Sequence, residues 1–170
     1  EELSRFDVVL FGDVDPRGGW LSQAQMTMLL DYVGNEGGGF GVVAGERFGL
    51  HRYLGTPLEK LLAVRIDPEF LGRYESALVS GFHPVITREG VASGLLRRAA
   101  ASAAVGRTRS AAANAEAAPD RVFDELPELY WLARTLGPKP GATVYMEHPS
   151  MRTRPERGQD PPPAPILVGG

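Results

Sequence analysis

Residues 39–49, GFGVVAGERFG, decide the predicted fold of this chain. The first six of these residues form a glycine-led apolar run, which is typical of a buried strand. The run leads into a turn at residues 45–49, where a G-x-nucleophile-x-G pattern is one way that α/β hydrolases present a reactive side chain. The middle position here is Arg47, and the chain of 170 residues contains no cysteine. We therefore predict the geometry of an active-site turn without its nucleophile.

A second apolar run lies upstream and is joined to the first by a helical pattern. Residues 7–11, DVVLF, predict a short strand that is buried on both faces. Ser22 and Gln25 have the spacing of a capping box, and apolar residues follow at helical spacing as far as Val33. These patterns predict a strand–helix–strand unit with parallel strands and a right-handed crossover.

The remainder of the chain combines further strands with two segments of unusual composition. Residues 142–146 predict a strand. Residues 99–118 are rich in alanine but poor in large apolar side chains, which predicts a loosely packed helix or an excursion from the domain. Residues 150–165 are rich in proline and charge, which indicates an exposed loop. We expect residues 1–170 to form a single α/β domain and to be a piece of a larger protein.

The composition argues against several classes of function. A net charge of −3 does not favour a nucleic acid or an anionic membrane as partner. Without cysteine the chain has no disulfide, no thiolate metal site and no cysteine catalysis. No run of about eighteen apolar residues is present, so we predict no membrane insertion by this piece. We predict no cofactor, because no phosphate-binding glycine pattern links a strand to a helix.

Polar residues follow three of the predicted strands, and sites in an open α/β sheet form at the carboxyl ends of strands. Asp13 and Asp15 follow the first strand. On an extended segment they would share a face and could bind a divalent cation. In a turn they would instead cap backbone amides. We predict no metal site, since no further acidic residue stands at a suitable spacing.

The second and third strands supply the other candidates. Arg47 could hold a carboxylate or a phosphate with its planar guanidinium group, or it could pair locally with Glu46 or pack on Phe48. His148 follows the third strand, where it could transfer a proton or could simply be a polar surface residue. The predicted ligand site consists of Asp13, Gly45, Glu46, Arg47, Phe48, Gly49 and His148.

Several of these segments together resemble a known family. The stretch FDVVLFGDVDP and the run GGGFGVVAGERFG, with GTPLEKLL, LPELYW and KPGATVYMEHP further along, are similar to class I glutamine amidotransferase-like domains. More narrowly, they resemble the domains of this kind in bacterial envelope proteins that carry von Willebrand A-type modules. The resemblance covers about residues 6–168. It implies a flavodoxin-like three-layer sandwich with a mostly parallel central sheet, other domains or proteins of an envelope-associated assembly as partners, and a location in the bacterial cell envelope.

The resemblance also implies a vestigial catalytic site. Arg47 stands where the family has the cysteine of its G-x-C-x-G turn. His148 and Pro149 match the family's histidine–proline pair, and Ser150 replaces its glutamate. Arginine cannot form the covalent thioester intermediate, so the resemblance argues against glutaminase activity.

Three functions follow from these observations. The first is a noncatalytic domain that binds a ligand or another protein. The second is a hydrolase or other enzyme that uses Glu46 or Asp13 as a base and His148 as its partner, without a cysteine nucleophile. The third is a carbohydrate-associated binding domain, for which Trp20 is the candidate aromatic surface. The oligomeric state stays open.

Overall fold

The computed structural model of the chain describes residues 3–45, 47–70, 77–96, 127–154 and 160–170. No helix in these ranges is both long enough and apolar enough to cross a membrane.

The first part of the described chain is the predicted strand–helix–strand unit. Strands β1 (Val8–Gly12) and β2 (Gly39–Val43) pair in parallel, and helix α1 (Gln23–Gly34) connects them. The Ser22 hydroxyl accepts the backbone N–H of Gln25, and the Gln25 side chain accepts the backbone N–H of Ser22. This reciprocal pair satisfies two amides at the start of the helix. The strand–helix–strand unit and the capping box are both confirmed.

The main core lies on one face of β1 and β2. Helix α1 covers this face, and two short 3-10 helices, Leu50–Tyr53 and Pro57–Leu61, contribute buried residues to the same core. Both T-shaped ring contacts of Phe11, with Trp20 and with Phe40, lie at this core. The buried apolar residues here are Phe11, Met26, Leu29, Tyr53, Leu58, Leu62 and Ile66.

The rest of the described chain forms small antiparallel sheets. Strand β3 (Val64–Ile66) pairs with β7 (Thr135–Pro138), and β4 (Ala77–Phe82) pairs with β6 (Leu129–Trp131). Each of these pairings is interrupted by a register shift. They are short ladders that depend on contacts between segments far apart in sequence.

A three-stranded antiparallel sheet completes the fold. Strand β8 (Thr143–Arg152) lies in the middle, with β5 (Val85–Ile86) on one side and β9 (Pro163–Gly169) on the other. Helix α2 (Arg88–Ser93) contacts β8. The Thr87 hydroxyl caps α2 and also donates to the Val144 carbonyl oxygen at 2.6 Å, so it ties the helix to the sheet.

The predicted flavodoxin-like three-layer sandwich is wrong. Among the described strands only β1 and β2 pair in parallel, the other pairings are antiparallel, and the described ranges contain two α-helices. A parallel connection needs a crossover of a dozen or more residues, usually through a helix, and the described ranges show this pattern once, between β1 and β2. Strands β8 and β9, which follow each other along the chain and are joined by residues 153–162, pair antiparallel. The glutamine amidotransferase-like architecture implied by the resemblance is therefore not found in the described chain.

Two local predictions also need correction. Strand β8 continues to Arg152, so His148 lies within a strand and not at its end. The predicted loop at residues 150–165 is shorter, because β8 takes its first residues and β9 begins at Pro163. Prolines are tolerated in β9 because it is an edge strand of its sheet. The alanine-rich excursion predicted at residues 99–118 lies outside the described residues.

Gly90 is the point where α2 meets the backbone of β8. A β-carbon there would lie 2.2 Å from the Tyr145 carbonyl oxygen and 2.8 Å from Ile86 Cγ2. The carbonyl oxygen belongs to the middle strand and cannot move aside cheaply. We expect Gly90→Ala to lower the free energy of unfolding by about 1–3 kcal/mol, measured by urea denaturation.

Gly34→Ala is the matched control, because a β-carbon at this last residue of α1 has no atom within 4 Å. Alanine has the higher helix propensity, so this variant should keep or raise the stability by up to about 1 kcal/mol. Equal losses in the two variants would contradict the proposed contact between α2 and β8.

Candidate functional site

The carboxyl ends of β1 and β2 bring most of the predicted site residues together. Asp13 follows β1 with a φ angle of 47°, a left-handed conformation that is uncommon outside glycine. Its Oδ1 atom accepts the backbone N–H of Phe48 at 2.7 Å, and its own N–H donates to the Val43 carbonyl oxygen at 2.9 Å. Asp13 therefore ties the turn at residues 45–49 to the end of β1.

The glycines of the turn make room for neighbouring side chains. A β-carbon at Gly45 would lie 2.0 Å from Asp13 Cγ, so only glycine allows the carboxylate to reach across the turn. A β-carbon at Gly49 would lie 3.2 Å from Nδ1 of His51, a tight approach. The turn is thus shaped around the Asp13 carboxylate. The sequence pattern had instead suggested a turn that presents a reactive side chain.

Asp15 lies in a second set of contacts beside the first. It is buried, its Oδ1 atom accepts the N–H of Arg17 at 2.9 Å, and its Oδ2 atom forms a hydrogen-bonded ion pair with Arg52. The hydrogen bond from Arg52 lowers the pKa of Asp15, although burial opposes the shift. Both Asp13 and Asp15 accept backbone amides, as the capping interpretation predicts. In the described ranges no three His, Cys, Asp or Glu side chains are grouped to hold a metal ion.

His51 and Tyr53 complete the polar side of this cluster. Burial and the neighbouring Arg52 lower the pKa of His51, so its ring is neutral at pH 7. Burial raises the pKa of Tyr53 to about 12, with Asp15 and Asp13 adding to the effect. The Tyr53 hydroxyl donates to the Val14 carbonyl oxygen at 3.3 Å. Among the described residues of this cluster, no nucleophile stands next to a base that could activate it.

Arg47 and Phe48 stand in the middle of the turn. The Arg47 side chain is exposed, and it has no hydrogen bond, ion pair or ring contact within the described part of the chain. Phe48 is half-buried. Glu46 lies outside the described residues. The prediction that Arg47 binds an anion stays a prediction.

His148 belongs to a different part of the molecule. Its ring is buried within β8 and lies against Phe82, with 4.1 Å between the ring centroids. The Nδ1 atom accepts the backbone N–H groups of Ser150 and Met151 at 3.1 and 2.8 Å. These bonds stabilise the irregular stretch of β8 after Glu147. No described hydrogen bond, ion pair or ring contact joins His148 to the cluster around Asp13.

The tautomer of His148 follows from these bonds. Since Nδ1 is an acceptor twice over, the ring proton lies on Nε2. That nitrogen is buried without a partner among the described residues. Burial lowers the pKa of His148 below its ordinary value, so the ring is neutral at pH 7.

Trp20, the carbohydrate candidate, lies at the rim of the main core. Its Nε1–H donates to the Asp15 carbonyl oxygen at 2.7 Å, and its ring meets the edge of Phe11 at 5.6 Å between centroids. The side chain is 50% exposed. These contacts hold the ring in place, and the carbohydrate interpretation stays a prediction.

The outer face of the parallel strand pair is an exposed apolar surface that was not predicted from the sequence. Val8 and Leu10 of β1 and Val43 of β2 are 55, 69 and 63% exposed. Val8 pairs with Gly39, and Leu10 pairs with Gly41. Paired residues share a face and successive residues alternate, so all five lie opposite the core. We call Val8, Leu10, Gly39, Gly41 and Val43 the bare sheet face.

On the bare sheet face, large aliphatic side chains of β1 lie beside glycines of β2. A β-carbon at Gly39 would lie 2.9 Å from Val8 Cγ2, and one at Gly41 would lie 2.5 Å from Leu10 Cδ2. The two aliphatic side chains therefore lean across β2, where the glycines leave space for them. The first strand was predicted to be buried on both faces, but among the described residues Val8 and Leu10 are exposed. The sequence could have indicated this, because burial on both faces requires a covering element for each face.

No family model, no curated protein and no solved structure matches this chain.

Asp15→Asn tests the internal role of the cluster at the strand ends. Asparagine offers Arg52 no negative charge, so the free energy of unfolding at pH 7 should fall by about 1–2 kcal/mol. The folded-state pKa of Asp15 is lowered, so its contribution is complete above pH 4 and is lost as the pH falls through that lower value. Urea denaturation at pH 7 and pH 3 should show the two proteins converging in acid.

The control for this experiment is Asp7→Asn, at an exposed position where the described structure gives the carboxylate no contact. It should match the wild type within about 0.5 kcal/mol at both pH values. A gap between Asp15→Asn and the wild type that persists undiminished at pH 3 would contradict the ion pair as its cause.

His148 should be visible as a neutral Nε2–H tautomer in solution. We expect long-range ¹H–¹⁵N correlation spectra at pH 7 to show Nδ1 as the unprotonated nitrogen, and a titration to give a pKa below 6.5. The two backbone amides that point at Nδ1 oppose protonation there. A histidine that titrates at or above 6.5, or that carries its proton on Nδ1, would rule out this arrangement.

Proposed function

We propose that this chain is a noncatalytic domain that binds another polypeptide through the bare sheet face. The observation that carries the proposal is a parallel strand pair on which the described residues pack from only one side. Parallel strands occur almost only in sheets that are covered on both faces. A binding partner would supply the second layer.

The dimensions of the bare sheet face fit one helix. Each strand has five residues, which at about 3.3 Å per residue gives a strip roughly 16 Å long. Two strands about 4.8 Å apart, with their side chains, make the strip about 10 Å wide. A helix is about 10 Å in diameter and rises 1.5 Å per residue, so about three turns cover the strip. The occupant that we infer is a three-turn amphipathic helix whose apolar stripe lies on Leu10.

The strength of this contact is modest. Full burial of a valine or leucine side chain contributes about 1.5–3 kcal/mol, and the three exposed side chains would bury a little over half of their surface each. The gross gain is about 3–5 kcal/mol, before the cost of association. Such a surface suits a partner that is already held nearby, as in another domain of the same assembly, where the effective concentration is in the millimolar range.

The polar clusters support a noncatalytic role. The carboxylates of Asp13 and Asp15 are engaged by backbone amides and by Arg52. The enzyme alternative needs His148 as a proton carrier beside Glu46, which lies outside the described residues. In His148 the basic nitrogen already accepts two backbone amides, and the ring is buried. A general base must instead have its free lone pair within reach of the proton that it removes.

A selection of displayed helices tests the proposal directly. Three-turn amphipathic helices would be selected for binding to the whole chain, and their dissociation constants would be measured against wild type and Leu10→Asp. We expect the aspartate to weaken binding at least tenfold, because it places a charge under the apolar stripe of the helix. Met28→Asp is the matched control, since Met28 is a similarly exposed apolar residue on α1.

Two outcomes would overturn the proposal. The first is a set of selected helices that bind wild type and Leu10→Asp equally. The second is a wild-type chain that is dimeric by light scattering and becomes monomeric with Leu10→Asp, which would assign the face to a second copy of the chain.

A further inference from the structure

A cavity of about 320 Å³ lies beside the first residue of β7, the carboxyl end of β8 and the start of β9. Three exposed arginines, Arg134, Arg152 and Arg154, line it. We propose that this cavity binds a small organic anion, namely a phosphate or carboxylate attached to an apolar group. The proposal is independent of the bare sheet face, which lies on β1 and β2.

One of the three arginines is already occupied. Arg154 forms two contacts with the Glu69 carboxylate, at 2.6 and 2.8 Å, and lies 3.7 Å from Asp67 Oδ1. Asp67 also lines the cavity, and its Oδ1 atom accepts the N–H of Glu69 at 3.0 Å. Arg154 thus holds two protein carboxylates at the side of the cavity and keeps them from a ligand.

The guanidinium groups of the other two arginines have N–H donors that can bind a ligand. The guanidinium group of Arg152 has no hydrogen bond or ion pair within the described part of the chain. The Arg134 guanidinium carbon lies 5.3 Å from the centre of the Phe70 ring. Stacking of this kind uses the face of the guanidinium group and leaves the N–H donors at its edge available. Two planar donor groups at one cavity suit an oxyanion, which can accept hydrogen bonds from both.

The cavity keeps an excess of positive charge despite its carboxylate. Three guanidinium groups stand against the carboxylates of Asp67 and Glu69, and both carboxylates lie on Arg154. The described charges therefore make the Arg134–Arg152 side positive, which raises the local concentration of anions at low ionic strength.

The deeper wall of the cavity is apolar. Leu132 and Ala164 are buried, and Met151 packs against them. A bare inorganic ion would leave this surface uncovered, and a volume of 320 Å³ falls at the lower end of the range for small-molecule sites. We therefore infer a ligand in which a small apolar group contacts Leu132 while its anionic group reaches the arginines.

The wall also contains an unsatisfied donor. Thr153 is 6% exposed, and its Oγ1 atom has no hydrogen-bond partner among the described residues. A buried hydroxyl without a partner costs about 1–3 kcal/mol. Thr153 lines the cavity, so a rotation about χ1 would let its hydroxyl donate to a ligand oxygen.

Isothermal titration of the whole chain tests the site, with phenyl phosphate, benzoate and inorganic phosphate as probes at low ionic strength. We expect one phenyl phosphate or benzoate per chain, bound at least tenfold more tightly than inorganic phosphate, because only the organic probes reach Leu132. Arg152→Gln should weaken binding of the organic probe about tenfold. The ratio between phenyl phosphate and benzoate then identifies the preferred anionic group.

Arg88→Gln is the matched control, because it removes the same charge from an exposed position on α2 outside the cavity. It should leave the dissociation constant unchanged, as should Leu10→Asp on the bare sheet face. The proposal is overturned if neither organic probe binds, if inorganic phosphate binds as tightly as they do, or if Arg152→Gln and Arg88→Gln weaken binding equally.

Discussion

The parallel register of β1 and β2 is the constraint on which the rest of the first half depends. Pairing Val8 with Gly39 and Gly12 with Val43 directs Phe11 into the core. The same register directs Leu10 to the opposite face and places Asp13 beside the turn that follows β2. A shift by one residue would exchange the two faces of one strand, so that core aromatic side chains would become exposed and the aliphatic side chains of the opposite face would turn towards α1.

The part of the fold that sequence could predict is the part that local signals specify. The capping box at Ser22, the helical spacing after it and the two apolar runs lie within about forty residues, and each favours the same unit. The antiparallel part has no such signals. Strand β3 pairs with β7 about seventy residues later, both strands are short, and the ladder shifts register. Extending the early pattern over the whole chain produced the wrong three-layer sandwich.

The candidate site shows the same division. The strand ends brought Asp13, Gly45 and Phe48 together, as their positions after predicted strands indicated. Their roles could not be derived, because they depend on a backbone angle at Asp13 and on which amide the carboxylate reaches. His148 was misplaced because β8 continues through Pro149. The arginine-lined cavity draws on segments from Asp67 to Ala164, which only tertiary structure brings together.

The hydrogen bond from the Phe48 amide to Asp13 has a consequence for catalysis at this turn. In an α/β hydrolase the amide that follows the nucleophile donates to the oxyanion of the tetrahedral intermediate. The equivalent amide here is that of Phe48, after Arg47, and it already donates to a carboxylate at 2.7 Å. An oxyanion formed at this position would have to displace that carboxylate and would be repelled by its charge. Installing a thiol or hydroxyl at residue 47 would therefore add a nucleophile to a turn that destabilises the intermediate it would have to form.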